Sequence, residues 1–408
     1  MDLMHKRCAG LDVHQRTVVA CARIVEDGKV TEEVRTFETT TTGLLELSSW
    51  LEAKQCTHVA MEATGVYWKP VWHILEAKFE LILANAAHIK NVPGRKTDVK
   101  DATWIADLLA HGLIRGSFVP PTPIQDLRAL MRTRKQLVRE AARNTQRIQK
   151  ALEDANIKLT GVVSDILGKS GRAILDALVT GETDPEKLVE LTKGRLKAPR
   201  QTLVEALRGH VRDHHRFVIK LHLAQVDALN QAVRDLEARV EEHLDPFRKN
   251  VEILTTIPGI SDTAASVIVS EIGYDMTRFK TAAHLVSWAG MCPRSDESAG
   301  KRRSSRIRHG APWLKTTLVQ CAWAAIRTKD SYLRAQFHRL KPRVGPMKAI
   351  IAVAASMLTS AYHMLTNGSE YKDLGAAHFD RRDHAKLAKR LVRRLQDLGL
   401  KVTVSKAA

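Results

Sequence analysis

The order of predicted strands and helices in the first 120 residues limits the possible folds more than any other feature of this sequence. Three segments rich in β-branched residues, 7–13, 17–25 and 30–37, predict consecutive strands. Apolar periodicity then predicts a helix at 43–54, a strand at 57–62, a helix at 67–78, a strand at 80–85 and a helix at 98–111. This is the ribonuclease-H-like order, which predicts a mixed sheet between helical layers. A Rossmann sheet is excluded, because early crossover helices and a G-x-G-x-x-G turn are missing.

The rest of the chain, beyond the linker at 120–123, is predicted to be helical. We expect a helical segment at 121–250, a second domain at 251–375 and a basic tail at 376–408. The stretch 199–243 is almost free of Gly and Pro, which predicts a coiled coil or a helical hairpin. The second domain opens with a Pro258-Gly259 turn between two helices. This turn is typical of a helix-hairpin-helix that offers N–H groups to a phosphate, and equally of a plain αα-hairpin.

Positive charge dominates the composition. The 64 Lys and Arg residues exceed the 45 Asp and Glu residues by 19, which predicts a polyanionic partner, nucleic acid before an acidic membrane surface. Four cations at i, i+4 spacing share one face of a predicted helix and form a basic stripe: Lys135, Arg139, Arg143 and Arg147. We interpret the stripe as a nucleic-acid contact, and an ordinary solvated helix face is the alternative. The tail from Arg381 holds nine basic residues against two acidic ones, and either binds nucleic acid or docks as a helix.

Cellular location follows from two further features. The five cysteines are scattered and form no C-x-x-C pair, which indicates a reducing cytosol and argues against a zinc ribbon. The first residues carry no apolar signal region, and the longest apolar stretch, Ala349 to Met357, is too short to span a bilayer. The sequence therefore predicts a cytoplasmic protein without a membrane partner.

Acidic residues occur at the predicted strand ends in this otherwise basic chain. Asp12 ends the first strand, Glu62 ends the fourth, and Asp98 and Asp101 lie three residues apart at a helix start. In a ribonuclease-H-like sheet the first and fourth strands are neighbours, so these carboxylates should converge. Converging carboxylates need a cation, and hard oxygen ligands select Mg²⁺ or Mn²⁺. For any single one of these residues a turn or helix cap is the simpler interpretation.

A serine-rich basic loop is the other candidate site. It holds Ser295, Ser298, Ser304 and Ser305 within residues 294–308. The cations that we predict to contact nucleic acid here are Lys301, Arg302, Arg303, Arg306 and Arg308. A serine among cations is suited to phosphoryl transfer, since the cations stabilise both an approaching phosphate and a serine alkoxide. A phosphate-clamping loop without chemistry and a plain turn are the alternatives.

Several motifs resemble those of one family, the bacterial insertion sequence 110 transposases, also called DEDD or bridge-RNA-guided recombinases. The amino-terminal motifs are GLDVH, MEATGVYW and KTDVKDA, which contain the four acids. The carboxy-terminal motifs are IPGISDTAA, RFKTAAHLVSWAGMCPR and ESAGKRRSSRIRHGAPWLKTTLVQCAWAA. Together the resemblance covers about 1–120 and 251–370, in the family's order.

The resemblance implies a RuvC-like catalytic domain at 1–120, a coiled-coil segment at 121–250 and a transposase domain with a catalytic serine at 251–375. By motif position that serine is Ser298. The family has Ser followed directly by Gly, whereas Ala299 intervenes here, so Ser304 and Ser305 remain alternatives. The family asparagine after the loop glycine is also replaced, by Ala311.

The resemblance also implies a mechanism and partners. Mg²⁺ (or Mn²⁺) would be held by Asp12, Glu62, Asp98 and Asp101, and Ser298 would attack the scissile phosphate, so that strand exchange needs no ATP. The implied partners are donor and target double-stranded DNA, a structured guide RNA and further copies of the chain, as a dimer or tetramer. The implied location is the bacterial cytoplasm, at the nucleoid. The rival interpretations are a RuvC-type nuclease that hydrolyses DNA with water, and a non-catalytic nucleic-acid-binding protein.

Overall fold

A computed structural model of the 408-residue chain describes residues 3–63, 65–85, 89, 101–193, 198–293, 296–298, 300–304, 306–307, 310–382 and 384–404. The chain forms two compact units, Met1–Val119 and Pro120–Ala408.

A five-stranded mixed sheet forms the centre of the first unit. Its strands and helices follow the predicted order: β1 (Arg7–Val13), β2 (Thr17–Glu26), β3 (Lys29–Glu38), α1 (Thr41–Ala53), β4 (His58–Glu62), α2 (Trp68–Leu75), β5 (Glu80–Ala84) and α3 (Asp101–Ala110). Across the sheet the order is β3-β2-β1-β4-β5. β1 pairs antiparallel with β2 and parallel with β4. The predicted mixed sheet is confirmed, and it is consistent with a ribonuclease-H-like domain.

The two faces of this sheet have different cover. Leu11 and Met61 point into a core with α1 and α2, which contribute Leu47, Leu51 and Leu75. On the other face, Cys8 and Ala60 lie beneath α3. α3 rests directly on β1, because a Cβ added at Gly10 would lie 2.3 Å from the carbonyl oxygen of Ala102 and 2.4 Å from the nitrogen of Ala106. A glycine inside a strand often marks such a close approach.

Two long antiparallel helices form the first part of the second unit. The helices are α4 (Thr122–Asp154), α5 (Leu159–Val162), α6 (Lys169–Thr180), α7 (Pro185–Glu190), α8 (Arg200–Leu207) and α9 (Asp213–Leu244), followed by a 3₁₀ turn at Asp245–Phe247. The end of α4 contacts the start of α9, at Asp154 and His215, and an earlier residue of α4 contacts a later one of α9, at Arg134 and Glu237. The two helices are therefore antiparallel. The short helices α5 to α8 pack around one end of this pair in a shared apolar core.

Residues 199–243, predicted to form a coiled coil or a helical hairpin, contain two helices, α8 and α9, which are separated by residues 208–212. Gly209 lies in this break, and a Cβ there would be 2.4 Å from the carbonyl oxygen of Ala155. The nitrogen of His210 donates to the same carbonyl at 2.8 Å. The chain therefore leaves the helix to pack against the end of α4. α9 pairs with α4 of the same chain, and a coiled coil between chains stays a prediction.

The last part of the second unit is a set of helices with one hairpin. Its elements are α10 (Arg248–Thr255), α11 (Asp262–Ile272), a 3₁₀ turn (Met276–Arg278), α12 (Ala282–Trp288), β6 (Asp296–Ser298), β7 (Lys301–Ser304), α13 (Pro312–Ala325), α14 (Tyr332–Val344), α15 (Pro346–Asn367), α16 (His378–Arg382) and α17 (His384–Asp397). Among the described residues, α15 alone is long and apolar enough to cross a membrane by length and composition. The helix continues to Asn367, past Met357, where the predicted apolar stretch ends. It packs against α12, α13 and α14 with buried residues such as Val353 and Leu358, as a core helix does.

Candidate functional site

Two predicted acids lie side by side at one edge of the sheet. β1 and β4 are parallel and pair Gly10 with Ala60, so the register carries Asp12 next to Glu62 at the carboxyl ends of both strands. Side chains alternate between the faces of a strand, so Asp12 shares the face of Gly10, which α3 covers. Asp12 and Glu62 are both partly exposed.

The start of α3 brings a third acid to the same edge. The nitrogens of Met4 and His5, just before β1, donate to the carbonyl oxygen of Ala110 at 2.8 and 3.1 Å. The carboxyl end of α3 is thus at the start of β1, and its first residue, Asp101, is at the end where Asp12 lies. Asp98 lies outside the described residues.

The chemistry of this carboxylate edge suits a divalent cation. The Nε2 atom of His14 lies 3.1 Å from an Asp12 oxygen. Within the described chain no Lys or Arg nitrogen lies within 4 Å of Glu62 or Asp101. The three carboxylates come from separate segments, and carboxylate oxygens are the hard donors that Mg²⁺ and Mn²⁺ prefer. No group of three His, Cys, Asp or Glu side chains among the described residues is arranged closely enough to hold a metal ion.

The predicted nucleophile, Ser298, lies at the end of β6, where the hairpin turns. It pairs with Lys301 across the turn, in which Gly300 has a φ of 72°. Ser304 ends β7, and its hydroxyl accepts the Arg306 N–H at 3.2 Å. The side chains of Ser298, Arg302 and Arg303, and all of Ser295, Ser305 and Arg308, lie outside the described part of the chain.

The base of this hairpin is held between α12 and α13. A bridge joins Pro293 to Ile307. A Cβ at Gly310 would lie 2.5 Å from the backbone of Ala289 and Gly290, so the returning strand contacts the end of α12 directly. The turn with Ser298 therefore projects from a fixed base.

The predicted basic stripe on α4 divides into two environments. Lys135 and Arg139 lie over the ring of Trp313, at 5.7 and 5.4 Å from its centroid. The Nζ of Lys135 also donates to the Thr317 hydroxyl at 3.3 Å. Burial and the Arg139 charge lower the pKa of Lys135. Arg143 and Arg147, by contrast, are exposed along the α4–α9 pair.

Trp313 was not among the predicted site residues. The one signal in the sequence is an aromatic residue directly after the cationic loop, since Lys and Arg stack on indole rings.

The Pro-Gly turn before α11 has a steric role. Gly259 has a φ of 84°, and a Cβ there would lie 2.5 Å from the carbonyl oxygen of Cys321 in α13. The next helix is capped by Ser261, whose hydroxyl accepts the Ala264 N–H at 3.4 Å. Packing against α13 accounts for the glycine, as in the αα-hairpin interpretation.

Charge is distributed unevenly between the two units. Residues 1–119 hold 14 Lys and Arg against 15 Asp and Glu, whereas residues 120–408 hold 50 against 30. The whole cationic surplus therefore belongs to the unit with the serine hairpin, and the unit with the carboxylate edge is close to neutral.

Comparison with known families gives two matches in the predicted order. Residues 9–157 match a family model for the DEDD transposases of IS110, described as "Transposase". Residues 251–338 match a model described as "Transposase IS116/IS110/IS902 family". The first match contains Asp12, Glu62, Asp98 and Asp101, and the second contains Ser298.

Individual relatives span most of the chain. The IS110 uncharacterized 43.6 kDa protein of Streptomyces coelicolor is 27% identical over 69% of this chain and 73% of its own length. A probable family 20 transposase of Pseudomonas aeruginosa is 25% identical over 66% of this chain and 71% of its own length. The pilin gene-inverting protein of Moraxella bovis is 23% identical over 89% of this chain and 96% of its own length.

Proposed function

Because this chain belongs to the IS116/IS110/IS902 family of transposases, enzymes that recombine DNA, we propose that it exchanges DNA strands through a serine-linked phosphodiester. The observation that supports this proposal is that Asp12 and Glu62 end adjacent parallel strands and Asp101 begins the helix over the same edge, in a chain that also carries Ser298 in a hairpin. Acids suited to a metal ion and a hydroxyl suited to attack are the two parts that such a reaction needs.

The carboxylates would hold Mg²⁺ or Mn²⁺. Asp12 and Glu62 would be ligands from adjacent strands, with Asp101 and Asp98 from the start of α3 and the segment before it. The bound ion would neutralise charge on the scissile phosphate and its departing oxygen. The closeness of α3 to β1 at Gly10 keeps Asp101 at this edge.

Ser298 would act as the nucleophile. Its hydroxyl loses a proton, an Oγ–P bond forms, and the bond from phosphorus to one deoxyribose oxygen breaks, so that this oxygen leaves as a hydroxyl. The serine ester retains the energy of the broken bond. A hydroxyl of a second strand can then displace the serine, so no ATP is needed.

The cations of the second unit would contact nucleic-acid backbone. Lys301, Arg302, Arg303, Arg306 and Arg308 surround the hairpin in sequence, and the basic stripe adds further charge. Backbone contacts carry no sequence information, so base pairing with a structured guide RNA would select the donor and target DNA. We further propose that the active form is a dimer or tetramer at the nucleoid in the cytoplasm, with coiled-coil contacts between chains.

A covalent adduct tests this function directly. The chain is incubated with Mg²⁺, with labelled DNA from the ends of its insertion sequence, and with RNA transcribed from the region beside the reading frame. We expect a DNA-linked peptide that contains Ser298. Ser298→Ala should reduce the adduct and the recombinant product at least a hundredfold, because no other group replaces the attacking oxygen. Mass spectrometry of the digested complex measures the adduct.

The matched control is Ser304→Ala, which removes a hydroxyl from the same hairpin and should retain most of the adduct. Asp12→Asn should abolish the adduct and leave DNA binding unchanged. Nicked DNA without any adduct would contradict the serine mechanism and favour the water-dependent nuclease. An adduct that persists in Ser298→Ala but disappears in Ser304→Ala would move the nucleophile to Ser304.

A further inference from the structure

A cavity in the second unit lies between α4, α11 and α13. Its volume is about 450 Å³, which is within the range of small-ligand sites. α4 contributes Lys135 and Arg139, the turn before α11 and its first residues contribute Ser261 and Thr263, and α13 contributes Thr316 and Gln320.

Lys135 and Arg139 give this cavity positive charge with no carboxylate in direct contact, and the buried Glu271 acts on Lys135 only at longer range. The neighbouring cations on α4 are neutralised, since Arg134 Nε donates to Glu237 at 2.9 Å and Arg132 donates to Glu271 at 2.7 Å. No carboxylate oxygen of the described residues lies within 4 Å of Lys135 or Arg139. Two cations at one cavity wall repel each other, and the partial burial of Lys135 raises the cost of its charge. A bound anion would relieve both effects.

The other wall residues supply hydrogen-bond donors. The Ser261 hydroxyl accepts an N–H and keeps its own proton for donation. The Thr316 hydroxyl donates to the carbonyl oxygen of Pro312 at 2.6 Å, so its proton is already used. Thr263 and Gln320 add a hydroxyl and an amide. The start of α11 also directs the positive end of its dipole to this side, and the acidic residue of its first turn, Asp262, does not line the cavity.

Trp313 relates the cavity to the serine hairpin. It is the second residue of α13, which begins directly after the hairpin, and its ring holds Lys135 and Arg139 in place. Gly310 fixes the hairpin base next to the same helix start. A DNA strand bound at the hairpin would therefore lie close to the cavity.

We propose that this cavity binds a backbone phosphate of a DNA strand, with Lys135 and Arg139 as its charged ligands. Only the identity of the polyanion rests on the proposed function, since the charge and the donors belong to the cavity itself. Two residues of the basic stripe, Lys135 and Arg139, thus line the cavity. The other two, Arg143 and Arg147, lie outside it.

The salt dependence of DNA binding tests this site. Fluorescence anisotropy with labelled duplex DNA would give the slope of log K against log salt for the full chain. Each lost phosphate contact reduces the slope by about 1, so Lys135→Gln/Arg139→Gln should reduce it by up to about 2 and weaken binding at least tenfold. The matched control, Lys150→Gln/Lys187→Gln, removes the same charge from exposed positions outside the cavity and should change the slope by less than half as much. Equal slopes for the two double variants would overturn the proposal.

A second variant tests the site in case the double variant does not fold. Gln320→Glu places a carboxylate at the exposed rim of the cavity and should weaken DNA binding about tenfold with an unchanged melting temperature. Unchanged DNA affinity in this variant would contradict the site.

Two further measurements separate the sources of phosphate. If inorganic phosphate raises the melting temperature of the wild type but not of the double variant, while their DNA slopes agree, the cavity is a free-phosphate site and the DNA proposal fails. A slope difference seen with duplex RNA but not with DNA would overturn it as well. If the slope difference appears in a chain that never forms the Ser298 adduct, the cavity stands and the proposed function fails. If the adduct forms but the slope difference is absent, the proposed function stands and the cavity proposal fails.

Discussion

Gly10 influences the carboxylate edge without carrying any functional group. Its missing side chain leaves room for the backbone of α3 on β1, at Ala102 and Ala106. Asp101 precedes Ala102, so the position of this carboxylate depends on a contact between two backbones. A side chain cannot rotate away from such a contact, and the helix itself would have to move.

Gly10→Ala should therefore displace α3. We expect a loss of about 1 to 3 kcal/mol in the free energy of unfolding, as for other overpacked interiors, together with loss of DNA cleavage. Urea denaturation and a cleavage assay would measure the two effects.

Gly116→Ala is the matched control in the same unit, because its added Cβ would meet only the Ile82 side chain, at an ordinary 3.6 Å. It should change stability by less than about 0.5 kcal/mol. Equal stability of the two variants would show that α3 does not depend on the glycine.

Single residues were predictable from the sequence where a local pattern determines their place. Asp12 and Glu62 each end an apolar run. Their two strands were predicted to be adjacent in the sheet, and the parallel pairing of β1 with β4 confirms this. Their metal-binding role stays a prediction. The roles of Gly10 and Trp313 were not predictable, because they depend on which helix lies over them, and this is determined by distant parts of the chain.

At the scale of helices and strands, a buried ionic group joins α4 to α11. Glu271 is 1% exposed and receives two hydrogen bonds from Arg132, at 2.7 and 2.8 Å. Arg128 donates to the carbonyl oxygens of Ser270 and Glu271 at 3.0 and 2.7 Å. Burial lowers the pKa of Arg128 to about 10. The group fixes the helix that carries Lys135 against the helix that begins at the phosphate cavity.

Glu271→Ala should be strongly destabilising. It leaves two guanidinium groups without their carboxylate, and breaking a buried pair in this way costs about 3 to 5 kcal/mol. Thermal and chemical denaturation would measure the loss.

The comparison is Glu237→Ala, which removes the partner of Arg134 on the same helix. Glu237 is 45% exposed, and exposed pairs contribute less than about 1 kcal/mol. A loss of similar size in both variants would contradict the dominant role of burial.

Helices and strands were predictable where their own periodicity is strong, as in the five strands of the first unit. The break between α8 and α9 was not, because residues 199–243 have helical character throughout and a single Gly209 gives little warning. The break depends on the fit of Gly209 against Ala155, which is a contact between distant segments.

At the scale of the whole molecule, the carboxylate edge and the cationic surplus belong to different units. The near-neutral first unit has the carboxylates, and the second unit has the cationic surplus and the serine. Composition predicted the polyanion but not this division, since a net charge carries no position.

The basic tail offers a test at this scale. On α17 and beyond, Leu391, Leu395 and Leu398 are 49%, 40% and 73% exposed, so the described leucines on this side of the helix are not buried against their own chain. Deleting residues 383–408 removes seven basic and two acidic residues. We expect weaker DNA binding, with a salt slope reduced by up to about 5, and an unchanged melting temperature, because little apolar surface is exposed by the deletion. A melting temperature lower by several degrees would favour a docked helix instead.

The length of α4 has a mechanical consequence. Lys135 at the cavity and Asp154 at the contact with His215 are separated by nineteen residues, or about 28 Å at 1.5 Å per residue. The α4–α9 pair therefore keeps these two positions at a constant separation. That separation equals the length of about eight base pairs of DNA at 3.4 Å each. Seven residues added to each helix would increase the separation by about 10 Å, and the two ends would keep nearly the same rotation about the helix axis. The separation of the two ends of this helix pair is thus set by the number of helical turns, independently of the side chains at either end.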